Sequence, residues 1–338
     1  MSTPAEQRAA TPERFFNAIN SYQLTEAIKS AIELEVFTAV DEGNTTAETI
    51  AKRCHAAKRG MRILCDFLSV HNFLTKQRTN YALAADSALF LNCNSPAYLG
   101  SAIEFLLTPR LRECHAHLTD AARRGGTALV EGMLDPENPD WVKYARGMMA
   151  MARRPAEIIA AELRKEGEAH KVLDIAASHG MFGISVAKQS PSAHIYASDW
   201  KNVLEVAKKN ADAMGVGDRY HLIPGSAFEA DFGNGYDLAL ITNLLHGFDT
   251  LACTELMRKV HVALNPEGRV AIAEYVPNPD RVSPPTAAGF SLTMLAATPW
   301  GDAYTFAELE GMSRAAGFTR VELSPAELGR NRLVIAYR

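Results

Sequence analysis

Residues 171–183 read KVLDIAASHGMFG. The run KVLDIA predicts a strand, and the small residues from Ala176 to Gly180 predict a tight turn into a helix. A parallel strand that feeds a helix through such a turn leaves the helix N-terminus open toward a ligand. The common nucleotide fingerprints here are D-x-G-x-G-x-G and G-x-G-x-x-G. This chain keeps Asp174 and Gly180 but places Ala176 and Ser178 where glycine is usual, and His179 lies inside the turn. Taken alone, small residues at a strand-helix turn serve close packing as readily as they serve a cofactor.

The residues downstream extend the pattern. HIYASD (194–199), RYHLIPG (219–225), YDLALIT (236–242) and RVAIAEYV (269–276) are short strand-like runs separated by helical or loop segments. Strands alternating with helices predict βαβ units and a doubly wound α/β domain on a parallel sheet. FTRVELSPA (318–326) and NRLVIAYR (331–338) read as an antiparallel closing pair. Asp199 ends the second strand, 25 positions after Asp174, where an acid reaches ribose hydroxyls. Trp200 follows with a flat face for an adenine ring. After the third strand, Gly225, Ser226, Ala227 and Phe228 form a segment able to border the same ring. Together the order and spacing of these positions predict a nucleotide site. His246 stands at the exit of the fourth strand, on the carboxyl edge of the sheet, where open α/β folds bind ligands.

Upstream of residue 140 the period is helical. FFNAINSYQLTEAIKSAIELEVFTAV (15–40) spaces apolar residues as a helix does, and Asp41-Glu42-Gly43-Asn44 stops it. Thr45 or Thr46 caps a short second helix, a third spans roughly 59–70, and NFLTKQRTNYALA reads as a hairpin. That outline is a winged helix. A helical bridge (about 98–123), a Pro-rich turn DPENPD (135–140) and helices from Trp141 to about Glu166 complete the chain. The expected division is residues 1–138 for the winged-helix module with its bridge and 139–338 for the α/β domain.

Composition excludes several classes. The 338 residues carry 35 Lys+Arg and 39 Asp+Glu, a net charge of −4, with 47% hydrophobic and 22% charged residues, as in ordinary globular chains. No run approaches the roughly 18 apolar residues of a membrane helix, and residues 1–11 lack the apolar core of a secretory signal. Lys52, Arg53, Lys58, Arg59 and Arg62 form a basic cluster, yet residues 1–138 hold 14 Lys+Arg against 16 Asp+Glu. A net of −2 argues for a solvated protein-binding module over a nucleic-acid reader. Cys54, Cys65, Cys93, Cys114 and Cys253 include no C-x-x-C pair and read as buried free thiols, pointing to the cytoplasm. His115 and His117 would diverge on a helix, so no metal site is expected.

Two chemistries fit a nucleotide site of this kind: hydride transfer from a nicotinamide and methyl transfer from S-adenosylmethionine (SAM). On the stretches IELEVFTAV, LDIAASHGMFG, SDW, LLHGFD, EGRVAIAEYVPNPD and FSLTMLAATPWGDAYTFAELEGMSRAAGF, the chain resembles the class I O-methyltransferases with an N-terminal winged-helix dimerisation domain. That group includes caffeic-acid-type, hydroxyindole and polyketide O-methyltransferases, and the resemblance runs from about Thr11 to Arg338. It implies a Rossmann-like methyltransferase sheet, SAM as cofactor, a homodimer formed through residues 1–100 and a small-molecule acceptor. It further implies His246 as general base with Glu274 beside it, and Asp199 and Trp200 on the ribose and adenine. Thr242 and Asn243 fall at cofactor-side positions, and Tyr144, Met148, Met294 and Thr298 at acceptor-pocket positions. The chain departs from the family at Ser226, where an acid often binds the adenine amine, and at Ala303, where many members carry a second glutamate, with Asp302 adjacent. A hydroxyl acceptor gives a His–Glu pair a task that an ionised carboxylate acceptor would not. Alternatives are a homologue that methylates carbon or nitrogen or does other chemistry with bound cofactor, and a winged-helix regulator that senses a small ligand.

Overall fold

A computed structural model of the chain describes residues 11–129 and 138–338; the first half of the DPENPD turn, residues 135–137, lies outside the described residues. The chain forms two compact units that divide after Gly100. The bridging helices 103–106, 109–116 and 118–124 lie in the second unit, where Leu111 and Cys114 pack with Ala296 and Ala297.

In the first unit the long helical run of the sequence is broken into helices 13–19, 21–33 and 36–41. The break at Glu35 is a backbone in the left-handed region (φ 54°). Thr46 caps helix 47–53 through a reciprocal box with Thr49. Helix 58–70 leads into an antiparallel hairpin of strands β1 (Leu74–Gln77) and β2 (Asn80–Leu83). Phe37, Ile50, Met61, Leu68, Leu74 and Tyr81 form one core under these elements, as a winged helix requires. The basic cluster is largely neutralised on this surface. Arg53 pairs with Glu35 and Glu42, Lys58 with Glu48, and Arg62 with Asp66. Of the five cysteines, four are buried, but Cys93 is exposed and bonded to Thr38, contrary to the sequence expectation.

The second unit is built on a seven-stranded sheet. Its strands are β3 (Lys171–Ile175), β4 (His194–Asp199), β5 (Tyr220–Pro224), β6 (Tyr236–Thr242), β7 (Leu264–Glu274), β8 (Arg320–Leu323) and β9 (Arg332–Tyr337). They lie in the order β5-β4-β3-β6-β7-β9-β8. The first five are mutually parallel, while β9 runs antiparallel to β7, and β8 to β9. Both faces of the central strands β3, β6 and β9 are buried, which is why these read as near-continuous apolar runs. Val172 and Leu240 face a core with helices 149–164, 181–189 and 201–213. Leu173 and Ile241 face another with helices 250–263 and 306–315. Strand order reverses at β3, so the β3–helix turn and the exits of β4 and β6 meet on the carboxyl edge, the switch point where α/β sheets bind ligands. Among the described residues, no helix is long and apolar enough to cross a membrane.

Candidate functional site

The turn after β3 keeps the shape of a glycine-rich loop without the glycines. Ala176 and Ser178 adopt left-handed φ angles of 53° and 52°, and Gly180 has φ 76°. Gly180 is also a close approach, because a Cβ there would press on the Tyr220 hydroxyl and on Ala207. His179 is buried. Its Nδ1 accepts from Met181 N at 3.1 Å and burial pushes its pKa down to about 4, so it serves the turn as a neutral imidazole.

Asp174 lies beneath this turn with no exposed surface. Burial raises its pKa to about 7, against the pull of the Gly183 N–H on Oδ2. Asp199 closes β4, and its carboxylate accepts from Ser178 N at 2.8 Å and Trp200 N at 2.7 Å. Burial pushes its pKa up to about 6 in spite of these two donors. Buried polar atoms of this region lack a hydrogen-bond partner among the described residues: Asp174 Oδ1, Ser178 Oγ, Ser198 Oγ, Asn202 Oδ1 and the Tyr220 hydroxyl. Natively buried polar groups are nearly always paired, so this cluster fits a polar ligand or ordered water. Gly225 N donates to the Asp199 carbonyl, which sets the 225–228 segment beside the acid. Ser226 Oγ accepts from Phe228 N, the Ala227 carbonyl accepts from Lys259 Nζ, and the Phe228 ring packs edge-on to Phe248.

At the exit of β6, Thr242 is buried, and Asn243 has a φ of 53°. His246 follows on a short 3₁₀ turn, 245–247. Its Nδ1 lies 2.6 Å from Glu274 Oε2, while Glu274 Oε1 accepts from the backbone N–H groups of Leu244 and Leu245, each at 2.8 Å. Glu274 is 2% exposed at the end of β7, next to β6 in the sheet. A carboxylate on Nδ1 assigns the proton to that nitrogen and leaves Nε2 with its lone pair.

Aromatic rings surround the imidazole. Phe290 meets it edge-on at 4.9 Å, and Tyr275 stacks on Phe290 at 3.9 Å. Tyr144 is packed against Phe105 and Trp141. Burial raises its pKa first, and the charges of Tyr275, Glu274 and Asp199 then add to the rise, so its phenol stays protonated. Met148 is half-buried at the break between helices 140–147 and 149–164, and Met294 is buried in helix 285–297. The Thr298 hydroxyl is committed to its own turn, donating to the Met294 carbonyl and accepting from Gly301 N. That turn abuts the His246 backbone, since a Cβ on Gly301 would collide with the His246 carbonyl oxygen.

The structure thus brings the turn, Asp199, His246 and Glu274 onto one sheet edge. Asp302 stands apart: it pairs with Arg281 at 3.2 Å, and Ala303 beside it is fully buried. Among the described residues, the imidazole therefore has one carboxylate partner, Glu274. Sequence reasoning missed Tyr275, Phe290 and Asn331, whose amide donates to Asn243 Oδ1 at 2.7 Å. Tyr275 was detectable as the residue after Glu274. Asn331 carried no local signal, being 88 positions from its partner.

Comparisons with known proteins agree with this geometry. A family model described as an O-methyltransferase domain matches residues 142–319, and one described as an O-methyltransferase dimerisation domain matches residues 16–92. The 3-hydroxy-5-methyl-1-naphthoate 3-O-methyltransferase of Streptomyces sahachiroi is 26% identical over 302 residues, covering 88% of this chain and 86% of that protein. A crystal structure from Nostoc punctiforme PCC 73102, provisionally named an O-methyltransferase, is 49% identical. It has a TM-score of 0.95 and covers 98% of this chain and 100% of that one. The human N-acetylserotonin methyltransferase, solved in complex with SAM, shares the fold at 19% identity, with a TM-score of 0.83 and 99% of each chain covered.

Proposed function

This chain belongs to the O-methyltransferase family, and from that premise we propose that it transfers a methyl group from SAM to a hydroxyl of an aromatic or polyketide-like small molecule. The observation that carries the reading is the His246–Glu274 pair on the carboxyl edge, walled by Phe290 and Tyr275. When bound, SAM supplies an electrophilic methyl on a sulfonium for an in-line displacement.

The chain's residues divide the work. Asp199 accepts the ribose hydroxyls, with Trp200 and the 225–228 segment at the adenine. The unpartnered Ser178 and Asn202 atoms and the strained turn at Ala176 and Ser178 offer polar contacts to the remainder. Thr242 and Asn243 flank the cofactor on the β6 side. Met148, Met294 and the aromatic rings hold a flat acceptor; methionine suits irregular ligands. Holding donor and acceptor in near-attack geometry supplies roughly 7–11 kcal/mol. A phenol titrates near ~10 and an imidazole near ~6.5, a gap of about 5 kcal/mol. The imidazole therefore does not ionise the free phenol; Nε2 of His246 takes the proton as the oxygen attacks. Glu274 acts through it, fixing the ring and stabilising the imidazolium.

The dimerisation-domain match supports a homodimer. The test of the whole reading is to incubate the protein with methyl-labelled SAM and a panel of phenols. Label in an O-methyl ether is the expected result. Label on carbon or nitrogen, or no binding of SAM at all, overturns it.

A further inference from the structure

The turn that carries His246 opens on a residue in an uncommon backbone conformation. Asn243 has φ 53°, and Leu244 after it has φ −123° and ψ −48°. A left-handed residue followed by one with negative φ and ψ aims successive backbone N–H groups into one concavity, which suits an anion. The anion here is the Glu274 carboxylate. Its Oε1 accepts from Leu244 N and Leu245 N, both at 2.8 Å, and its Oε2 lies 2.6 Å from His246 Nδ1. The carboxylate thus takes its orientation from the turn, and the imidazole takes its orientation from the carboxylate.

Two contacts hold Asn243. Its N–H donates to the Ala273 carbonyl at 2.9 Å, and its Oδ1 accepts from the Asn331 amide at 2.7 Å. Asn331 comes just before Arg332, the first residue of β9, whose partner across the sheet is Glu274. Since β7 lies between β6 and β9, Asn331 reaches past the end of β7 to the exit of β6. The two contacts have different effects. With the N–H of Asn243 fixed to β7, a change of φ swings its Cβ, so only the bond to the side chain resists that change. Asparagine tolerates left-handed backbone better than most residues, yet negative φ remains its commoner state.

We propose that Asn331 is a positioning residue for His246, acting through Asn243 and Glu274. This role rests on the reading of His246 as base and deepens it. With the bond in place, Glu274 holds the Nδ1 proton and Nε2 keeps its lone pair for the acceptor hydroxyl. Without it, Asn243 relaxes toward negative φ and the Leu244 N–H turns away from Glu274. The carboxylate then swings, and the imidazole carries its proton on either nitrogen.

The test reads the tautomer directly, by nitrogen NMR of histidine-labelled protein with S-adenosylhomocysteine bound. His246 is assigned by the signal missing from His246→Gln. The unaltered protein is expected to show one tautomer, protonated on Nδ1, and Asn331→Ala a mixture of two. At saturating SAM, kcat for 2-naphthol should fall about three- to tenfold in Asn331→Ala, the worth of one neutral hydrogen bond. KM for 2-naphthol should stay within about twofold, because the loss falls on the proton transfer and not on acceptor binding. Asn331→Ser, also too short to make the bond, should match Asn331→Ala and covers an alanine variant that melts early. Glycine adopts left-handed backbone without help. Adding Asn243→Gly to Asn331→Ala should therefore restore the single tautomer and most of kcat. A single Nδ1 tautomer in Asn331→Ala, or a mixture that Asn243→Gly does not repair, overturns the positioning role. A mixture with kcat unchanged keeps Asn331 as the residue that orders the pair and removes His246 as base, so the two readings fail separately.

Discussion

The proton of Nδ1 decides what His246 can do. Glu274 holds it by accepting three hydrogen bonds at once, two of them from backbone N–H groups that cannot turn away. His246→Ala is expected to lower kcat by about 10²- to 10⁴-fold, the range of a lost general base. Calorimetry should meanwhile find its affinity for S-adenosylhomocysteine within about twofold of the unaltered protein; unchanged turnover would remove His246 as base. Glu274→Gln is a sharper probe. The amide oxygen still accepts from Leu244 and Leu245, but the amide nitrogen donates to Nδ1 and drives the ring proton to Nε2. That blocks the base with little change in shape, and kcat should fall about 10³- to 10⁴-fold, as for other wrong-tautomer substitutions. At Asp199 the sign of the pH effect follows from burial, which raises the carboxyl pKa to about 6. Only the ionised form accepts from two ribose hydroxyls. Affinity for S-adenosylhomocysteine should be full above pH 6 and weaken as pH falls through that value. Calorimetry from pH 5 to 8 checks this, and Asp199→Asn should bind weakly with no such slope.

At the scale of the element, the β3 turn shows what a fingerprint search overlooks. The turn needs left-handed backbone at 176 and 178, and the chain supplies it with Ala and Ser. A non-glycine residue there costs roughly 1–2 kcal/mol, which a well-determined surrounding structure sustains. Ala176→Gly should therefore leave stability unchanged or raise it by up to about 1 kcal/mol, read as an equal or higher melting temperature. Ala176→Val, β-branched in the same backbone region, should lower both the melting temperature and cofactor affinity; thermal melts with and without S-adenosylhomocysteine compare the two. The same turn explains how far the sequence could be read. Asp174, Asp199 and His246 were visible because each lies at a strand end, where local pattern and position coincide. The central strands β3, β6 and β9 were visible because burial on both faces makes their apolar runs continuous. The breaks at Asn20 and Glu35 were not, since apolar spacing carries on across them. Nor was the Asn331–Asn243 bond, which exists only because β9 folds back against β7. The role of Gly301 was equally hidden: what forbids a side chain there is the carbonyl of a residue 55 positions earlier.

At the scale of the whole molecule, the question is what covers the apolar surface of the first unit. Phe15, Phe16, Ile19 and Tyr22 are 62%, 55%, 59% and 61% exposed on the first two helices. A contiguous row of large exposed apolar side chains marks an association surface. Phe16, Ile19 and Tyr22 also fall within the stretch matched by the dimerisation-domain model. Arg53, Lys58 and Arg62 of this unit each hold a carboxylate away from the row. Apolar burial is thus the force available for pairing, at about 25 cal/mol per Å². Each large side chain then contributes about 1.5–3 kcal/mol when fully covered. A dimer held this way should tolerate high salt and fail on a charge placed in the row. Sedimentation is expected to give twice the 36.9 kDa of the chain, at low and high ionic strength alike. Phe16→Asp combined with Ile19→Asp should shift the protein toward monomer, because two carboxylates would have to be desolvated at the contact. Arg53→Ala, on a paired surface arginine of the same unit, should leave the mass unchanged. A monomeric unaltered protein, or a double variant that stays dimeric, would show that this row is not what joins the two copies.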